Sequence, residues 1–153
     1  MKKRAVYPGT FDPVHYGHLD LMARSTLLFD ELVVAVYDHV RPTKSVLFTV
    51  DERIQMINDA LGPQEGIMVR PFSGLLVNFM REIDARVIIR GLRVFSDFEF
   101  EFRNALANKR LASEIETVSL MAREEHTFLS GTTVREIAAL RGDVSSMVPV
   151  SYT

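Results

Sequence analysis

The sequence predicts an α/β fold in which a parallel sheet is covered by helices on both faces. Three observations predict it. Short β-branched runs alternate with helix-spaced apolar stripes along the chain. The runs are apolar at successive positions, as strands buried on both faces require. The first run leads through a Gly/Pro-rich loop directly into a helical pattern, Tyr7-Pro8-Gly9-Thr10-Phe11-Asp12-Pro13-Val14-His15-Tyr16-Gly17-His18. Strand, loop and helix start together make an anion site, because the N–H groups of a first helical turn lack intrahelical partners and the helix dipole adds partial positive charge there.

Strands are expected over residues 4–7, 32–37, 67–70, 87–90 and 117–121. In the first crossover Leu19, Met22, Ala23 and Thr26 repeat at helix spacing, and in the second Val50, Ile54, Ile57 and Leu61 do so. Both stripes are expected to face the core. Thr49 followed by Glu52 reads as a capping box and sets the second helix start. Leu76, Phe79, Met80 and Ile83 mark the third crossover, and Phe98, Phe102, Ala105 and Leu106 the fourth. A last helix begins near Thr132 and uses Val134, Ile137 and Ala138.

A chain of 153 residues suits one domain, here residues 1–153. At 47% hydrophobic residues it can fill a core, and a net charge of −2 gives no general basic footprint for nucleic acid. The absence of cysteine excludes disulfides, thiolate nucleophiles and Cys-ligated metal sites. The basic start Met1-Lys2-Lys3-Arg4 lacks the apolar stretch of a secretory signal, and the run from Leu32 to Tyr37 is far shorter than the roughly 20 residues of a membrane span. A soluble, cytoplasmic protein is expected, with no membrane partner.

Parallel sheets bind ligands beyond the carboxyl ends of their strands, where strand order switches. The conspicuous polar residues fall on that edge: Thr10 and His18 after strand one, Lys44 after strand two, Arg90 and Arg93 at the end of strand four, and Ser130 to Thr132 after strand five. His15 to His18 form an HxGH element, in which Gly17 lets backbone approach a ligand and His18 presents an imidazole in the first turn. Arg90 follows an apolar run and can fork two N–H donors to a phosphate or hold a structural ion pair.

On these motifs, together with Lys44 ahead of Phe48-Thr49, Ile89-Arg90-Gly91-Leu92-Arg93, Asp97-Phe98-Glu99-Phe100-Glu101 and Thr127-Phe128-Leu129-Ser130-Gly131-Thr132, the chain resembles the HxGH nucleotidyltransferases and, within them, the phosphopantetheine adenylyltransferases. The resemblance runs from the first strand to about Val148. It implies a dinucleotide-binding (Rossmann-like) fold with five parallel strands, and adenylyl transfer from ATP to 4′-phosphopantetheine, giving dephospho-coenzyme A and pyrophosphate. Two anionic groups must meet in that reaction, so positioned cations and donors suffice and an ionised phosphate needs no base to activate it.

The resemblance assigns catalysis to His18, Thr10, Lys44 and Arg90. It assigns ATP to Thr10, Phe11, His18, Gly91, Leu92, Arg93 and Glu101, and to the closing segment His126, Thr127, Phe128, Leu129, Ser130, Gly131 and Thr132. It assigns the acceptor to Thr10, Lys44, Leu76 and Arg90. Glu101 also reads as part of an acidic solvated helix face with Asp97 and Glu99, and Leu76 as core. Gly131 stands where the family commonly has serine, and His126 where an aromatic is frequent. The resemblance further implies Mg²⁺ carried on ATP without a protein metal site, inhibition by coenzyme A, and a homohexamer, with an assembly contact altered by the short C-terminus. Other transferases of the superfamily and a non-catalytic nucleotide sensor are the competing readings.

Overall fold

The computed structural model describes residues 2–38 and 46–149. Its strands β1 (Arg4–Gly9), β2 (Glu31–Tyr37), β3 (Ile67–Phe72), β4 (Val87–Leu92) and β5 (Glu116–Met121) form one all-parallel sheet in the order β3-β2-β1-β4-β5. Helices α1 (Tyr16–Ser25), α2 (Val50–Leu61), α3 (Leu76–Glu82), α4 (Phe95–Leu111) and α5 (Gly131–Ala139) follow the strands in turn. The expected α/β architecture is therefore present, and each strand begins at or one residue before its expected start. β1 runs past Tyr7 through Pro8 and Gly9, because β2 continues to pair with it at Pro8↔Ala35 and Gly9↔Val36.

Much of the edge strands β3 and β5 is exposed, and the central strands β1, β2 and β4 bury residues on both faces of the sheet. On one, Ala5, Tyr7, Val34, Val36 and Ile89 pack against Met22 of α1 and Met56 and Ile57 of α2; on the other, Val6, Val33, Ala35 and Ile88 pack against Val77, Phe79 and Met80 of α3. Residues adjacent along β1 thus enter different clusters, as the strand period of two dictates. A third cluster of Leu129, Val134, Val144 and Val148 anchors α5. The Thr49–Glu52 capping box forms reciprocally: the Glu52 N–H donates to the Thr49 hydroxyl at 3.2 Å and the Thr49 N–H to the Glu52 carboxylate at 3.1 Å.

Three helical stripes differ from expectation; in α5 Val134 is buried and Ile137 partly so, but Ala138 is exposed. In α1 the buried residues are Leu21, Met22 and Ser25, whereas Ala23 and Thr26 are exposed. The helix is rotated so that Ser25 faces inward, its hydroxyl donating to the Leu21 carbonyl at 2.7 Å. In α4 the expected core residues Phe98, Phe102 and Leu106 are 53%, 54% and 56% exposed. The inward face instead carries Glu101, with Ala105 partly buried and Ala112 closing the helix end. Small residues there allow close approach to the sheet and bring a carboxylate to Arg90. The phenylalanines are left as an outward apolar stripe, with Phe98 and Phe102 stacked at 5.8 Å.

Candidate active site

The β1–β4 ladder is confined to Ala5↔Val87 and Val6↔Ile88, while β1 goes on pairing with β2 up to Gly9. This is the point where strand order reverses, and beyond it the carboxyl ends of β1 and β4 open onto a cleft of about 400 Å³. Arg90 bridges the gap. Its Nη1 donates to the Pro8 carbonyl at 3.1 Å, so the side chain supplies a hydrogen bond where the ladder has ended.

The HxGH element starts α1, and its two histidines cap it. The His18 N–H donates to His15 Nδ1 at 3.3 Å, and the His15 N–H donates to His18 Nδ1 at 3.1 Å. A backbone N–H can only donate, so each Nδ1 must be a lone pair and each neutral ring carries its proton on Nε2. Burial above all, then electrostatic repulsion of a proton by His15, Arg93 and Arg90, holds His18 well below the usual imidazole pKa. Burial, followed by Arg93 and His126, lowers His15 to about 3. With its pKa held low, His18 presents an uncharged ring whose donor is Nε2–H.

Gly17 is required by His15. A Cβ there would lie 2.9 Å from His15 Cε1 and 3.0 Å from its Nδ1, so glycine admits the capping ring itself rather than a ligand. Phe11 adopts φ 51°, a conformation bulky residues avoid, and its ring lies edge-on to His18 at 4.8 Å and to Tyr7 at 5.3 Å. With Phe11 only 2% exposed, its ring forms the floor beneath His18. The Thr10 hydroxyl lines the cleft and bonds no described residue, leaving it open to a ligand.

The two arginines are each held by a carboxylate from α4. Arg90 Nε and Nη2 fork onto Glu101 at 2.8 and 2.9 Å, so Glu101 is a buried partner and not a solvated acid. Burial by itself would lower the Arg90 pKa, but Glu101 outweighs it and the guanidinium is held above its ordinary value. Arg93 Nε and Nη2 meet Asp97 at 3.1 and 3.2 Å, and Nη1 donates to the Leu129 carbonyl at 2.6 Å. Burial opposes ionisation of Asp97, yet Arg93 and the Arg93 and Val94 N–H groups leave its pKa lowered. Each arginine uses three of the five N–H donors of a guanidinium here and keeps two for a ligand.

On the far wall α5 begins at Gly131. Ser130 is its N-cap, accepting from the Thr133 N–H at 3.1 Å and donating to the Thr133 hydroxyl at 3.0 Å, so its hydroxyl serves the helix rather than standing free. Gly131, Thr132, Leu129 and His126 line the cleft, as do Gly91 and Thr10. Leu92, Thr127 and Phe128 do not line it; the Thr127 hydroxyl bonds the Glu124 carbonyl and Phe128 is exposed. Leu76 packs on the α3 side of the sheet, partly buried as its core reading expects, and is not among the residues that line the cleft. Lys44 lies outside the described residues.

Several cleft residues escape sequence reasoning. Asp12 is 3% exposed and accepts from the Leu47 and Phe48 N–H groups at 2.7 and 3.0 Å. Arg135 of α5 donates to the Asp12 carbonyl at 2.9 Å across 123 residues of sequence. Phe100 rims the cleft from α4. The pairing of Arg93 with Asp97 had one local signal, the four-residue spacing within a helix start; the others had none.

A cleft at the switch point, a capped histidine donor and two arginine forks are the equipment of phosphate transfer. The chain matches the family model for cytidylyltransferase-like proteins over residues 6–137, which defines it as a nucleotidyltransferase of that class. It is 52% identical over 148 residues to a phosphopantetheine adenylyltransferase of Thioalkalivibrio sulfidiphilus, covering 97% of this chain and 92% of that one. A phosphopantetheine adenylyltransferase of Heliobacterium modesticaldum is 49% identical over 145 residues, covering 95% and 85%. The chain belongs to the phosphopantetheine adenylyltransferase family. The fold is also that of a bifunctional NMN adenylyltransferase/ADP ribose pyrophosphatase from Francisella tularensis, at a TM-score of 0.73 and 14% identity, covering 97% of this chain and 45% of the longer one.

Proposed function

We propose that this chain transfers the adenylyl group of ATP to 4′-phosphopantetheine, forming dephospho-coenzyme A and pyrophosphate. The observation that carries the reading is the near-full-length identity of about half with relatives bearing that name, over a cleft whose donors suit the chemistry. An oxygen of the acceptor phosphate attacks the α-phosphorus of ATP; that P–O bond forms as the bond to the bridging oxygen of pyrophosphate breaks. His18 donates its Nε2–H to the charge that builds on the α-phosphate oxygens. As a pre-oriented neutral donor it needs no reorganisation at the moment of reaction. Arg93 and the start of α5 hold the ATP phosphates, and Thr10, Arg90 and Lys44 hold the incoming phosphate.

Among the described residues no three His, Asp or Glu side chains gather to hold a metal, and the cleft carboxylates of Asp12, Asp97 and Glu101 are each engaged by N–H donors. Mg²⁺ would ride on the ATP phosphates, and none of the residue roles above is routed through it. The outward stripe of Phe98, Phe102 and Leu106 suits burial against further copies of the chain, in keeping with a homohexamer. Coenzyme A, which contains both product halves, would compete at the same cleft. No helix among the described residues is long and apolar enough to cross a membrane, and we place the enzyme in the cytoplasm.

The test is pyrophosphate release from ATP with 4′-phosphopantetheine, nicotinamide mononucleotide or glycerol 3-phosphate as acceptor. Release with the first alone is expected; release only with either of the others overturns the reading.

A further inference from the structure

Arg53 of α2 is 2% exposed and forms no ion pair with a described carboxylate. Its guanidinium is bound instead by main-chain carbonyls from three separate segments: Nε donates to Phe48 at 3.0 Å, and Nη1 to Thr10 at 2.8 Å and to Tyr37 at 2.9 Å. Burial lowers its pKa, with Asp12 and Asp38 acting in the opposite direction. A charge withdrawn from water needs such partners, and only a planar fork with several donors reaches carbonyls at the loop after β1, the end of β2 and the start of α2 together. Asp12 completes the arrangement by accepting the Leu47 and Phe48 N–H groups. The 47–48 backbone is thus gripped on its donors by the first loop and on a carbonyl by the arginine that also holds Thr10.

We propose that Arg53 is a positioning residue for the acceptor half of the cleft. Sheet order places this latch on the β1–β2 side, whereas Arg93 and Asp97 stand at the end of β4 and the start of α4. Arg53 fixes the Thr10 backbone against the 47–48 segment and so sets where an incoming phosphate meets the Thr10 hydroxyl, without contacting either substrate. The assignment of the two halves rests on the function proposed above; the latch itself does not.

The test compares Arg53→Lys with Met56→Ala, a core truncation on the same helix with Met56 6% exposed. Lysine keeps the charge but cannot span three carbonyls. Arg53→Lys should raise the KM for 4′-phosphopantetheine about tenfold and leave the KM for ATP within about twofold, whereas Met56→Ala should lower the melting temperature and move neither KM. Equal effects of Arg53→Lys on both substrates, or lost stability with both KM values intact, overturn the proposal. Hydrogen exchange keeps the latch testable if Arg53→Lys fails to fold or if the wild-type enzyme does not use this acceptor: the Leu47 and Phe48 amides of the wild-type protein should exchange as slowly as those of β2. Exchange at the rate of exposed loops overturns it.

Discussion

His15 and His18 lie stacked, ring centroids 3.5 Å apart and 19° from parallel, and each accepts the other's backbone N–H through Nδ1. One exchange caps α1 and fixes both tautomers, so the same geometry starts the helix and aims a donor. His18→Ala should lower turnover by about 10² to 10³, the loss typical of one positioned transition-state donor. Removing half of the reciprocal cap should also lower stability by about 0.5–2 kcal/mol. Steady-state turnover, ATP titration and thermal melting check this; turnover near wild type with ATP binding retained sinks the role of His18.

The pair also makes the protein acid-labile. Unfolded histidine binds a proton below about pH 6.5, whereas folded His15 stays neutral to about pH 3 and folded His18 is likewise held low. The unfolded state therefore binds more protons in that window, and stability falls as pH drops from 6.5 toward 3, by up to about 1.4 kcal/mol per pH unit for each histidine. Above pH 6.5 the difference vanishes. Denaturant titrations at pH 5 and pH 7.5 should show a smaller decline for His15→Asn, which keeps a side-chain oxygen to cap the helix but does not titrate. An unchanged decline contradicts the neutral pair.

Arg93 and Lys44 should separate the two substrates. Arg93→Ala removes the proposed phosphate donor and leaves the Asp97 carboxylate uncompensated in the cleft, so it should weaken ATP binding more than 4′-phosphopantetheine binding. Lys44→Ala should do the reverse. In calorimetric titrations with each ligand, equal losses for both variants rule out this division. Arg93→Ala combined with Asp97→Asn should recover part of the ATP affinity, because the repelling charge is gone.

Gly131 begins α5 without a positive φ, so a side chain is allowed by the backbone. An added Cβ would lie 2.7 Å from Arg135 Nη1, the flexible end of a side chain that can swing aside, at the expense of its bond to the Asp12 carbonyl. Gly131→Ser should fold, melt slightly lower and bind ATP as tightly or up to about tenfold more tightly, the worth of one net hydrogen bond. A large loss of both stability and ATP affinity shows instead that Arg135 cannot move.

The α4 stripe predicts the assembly. Phe102→Glu should place a charge in the centre of the face formed with Phe98 and Leu106 and shift the protein to smaller species in sedimentation velocity, with secondary structure unchanged. An unaltered sedimentation coefficient removes this face from the interface.

The sequence by itself determined the strands, their parallel arrangement, the Thr49–Glu52 cap and the edge on which Thr10, His18, Arg90 and Gly131 meet, because these follow from local periodicity, capping chemistry and the rule that ligands bind at carboxyl strand ends. The family was legible for the same reason, since its motifs are short and contiguous. Only the tertiary structure decided what each charge meets. Helical periodicity marked Phe98, Phe102 and Leu106 as a stripe but carries no information about whether a stripe faces the sheet or the surface, and it hid Glu101 on the opposite side. The contacts of Arg90 with Pro8, Arg135 with Asp12 and Arg53 with Thr10 join residues 82, 123 and 43 positions apart. Such pairings are set by how strands and helices stack, and so is the desolvation that keeps His15 and His18 neutral.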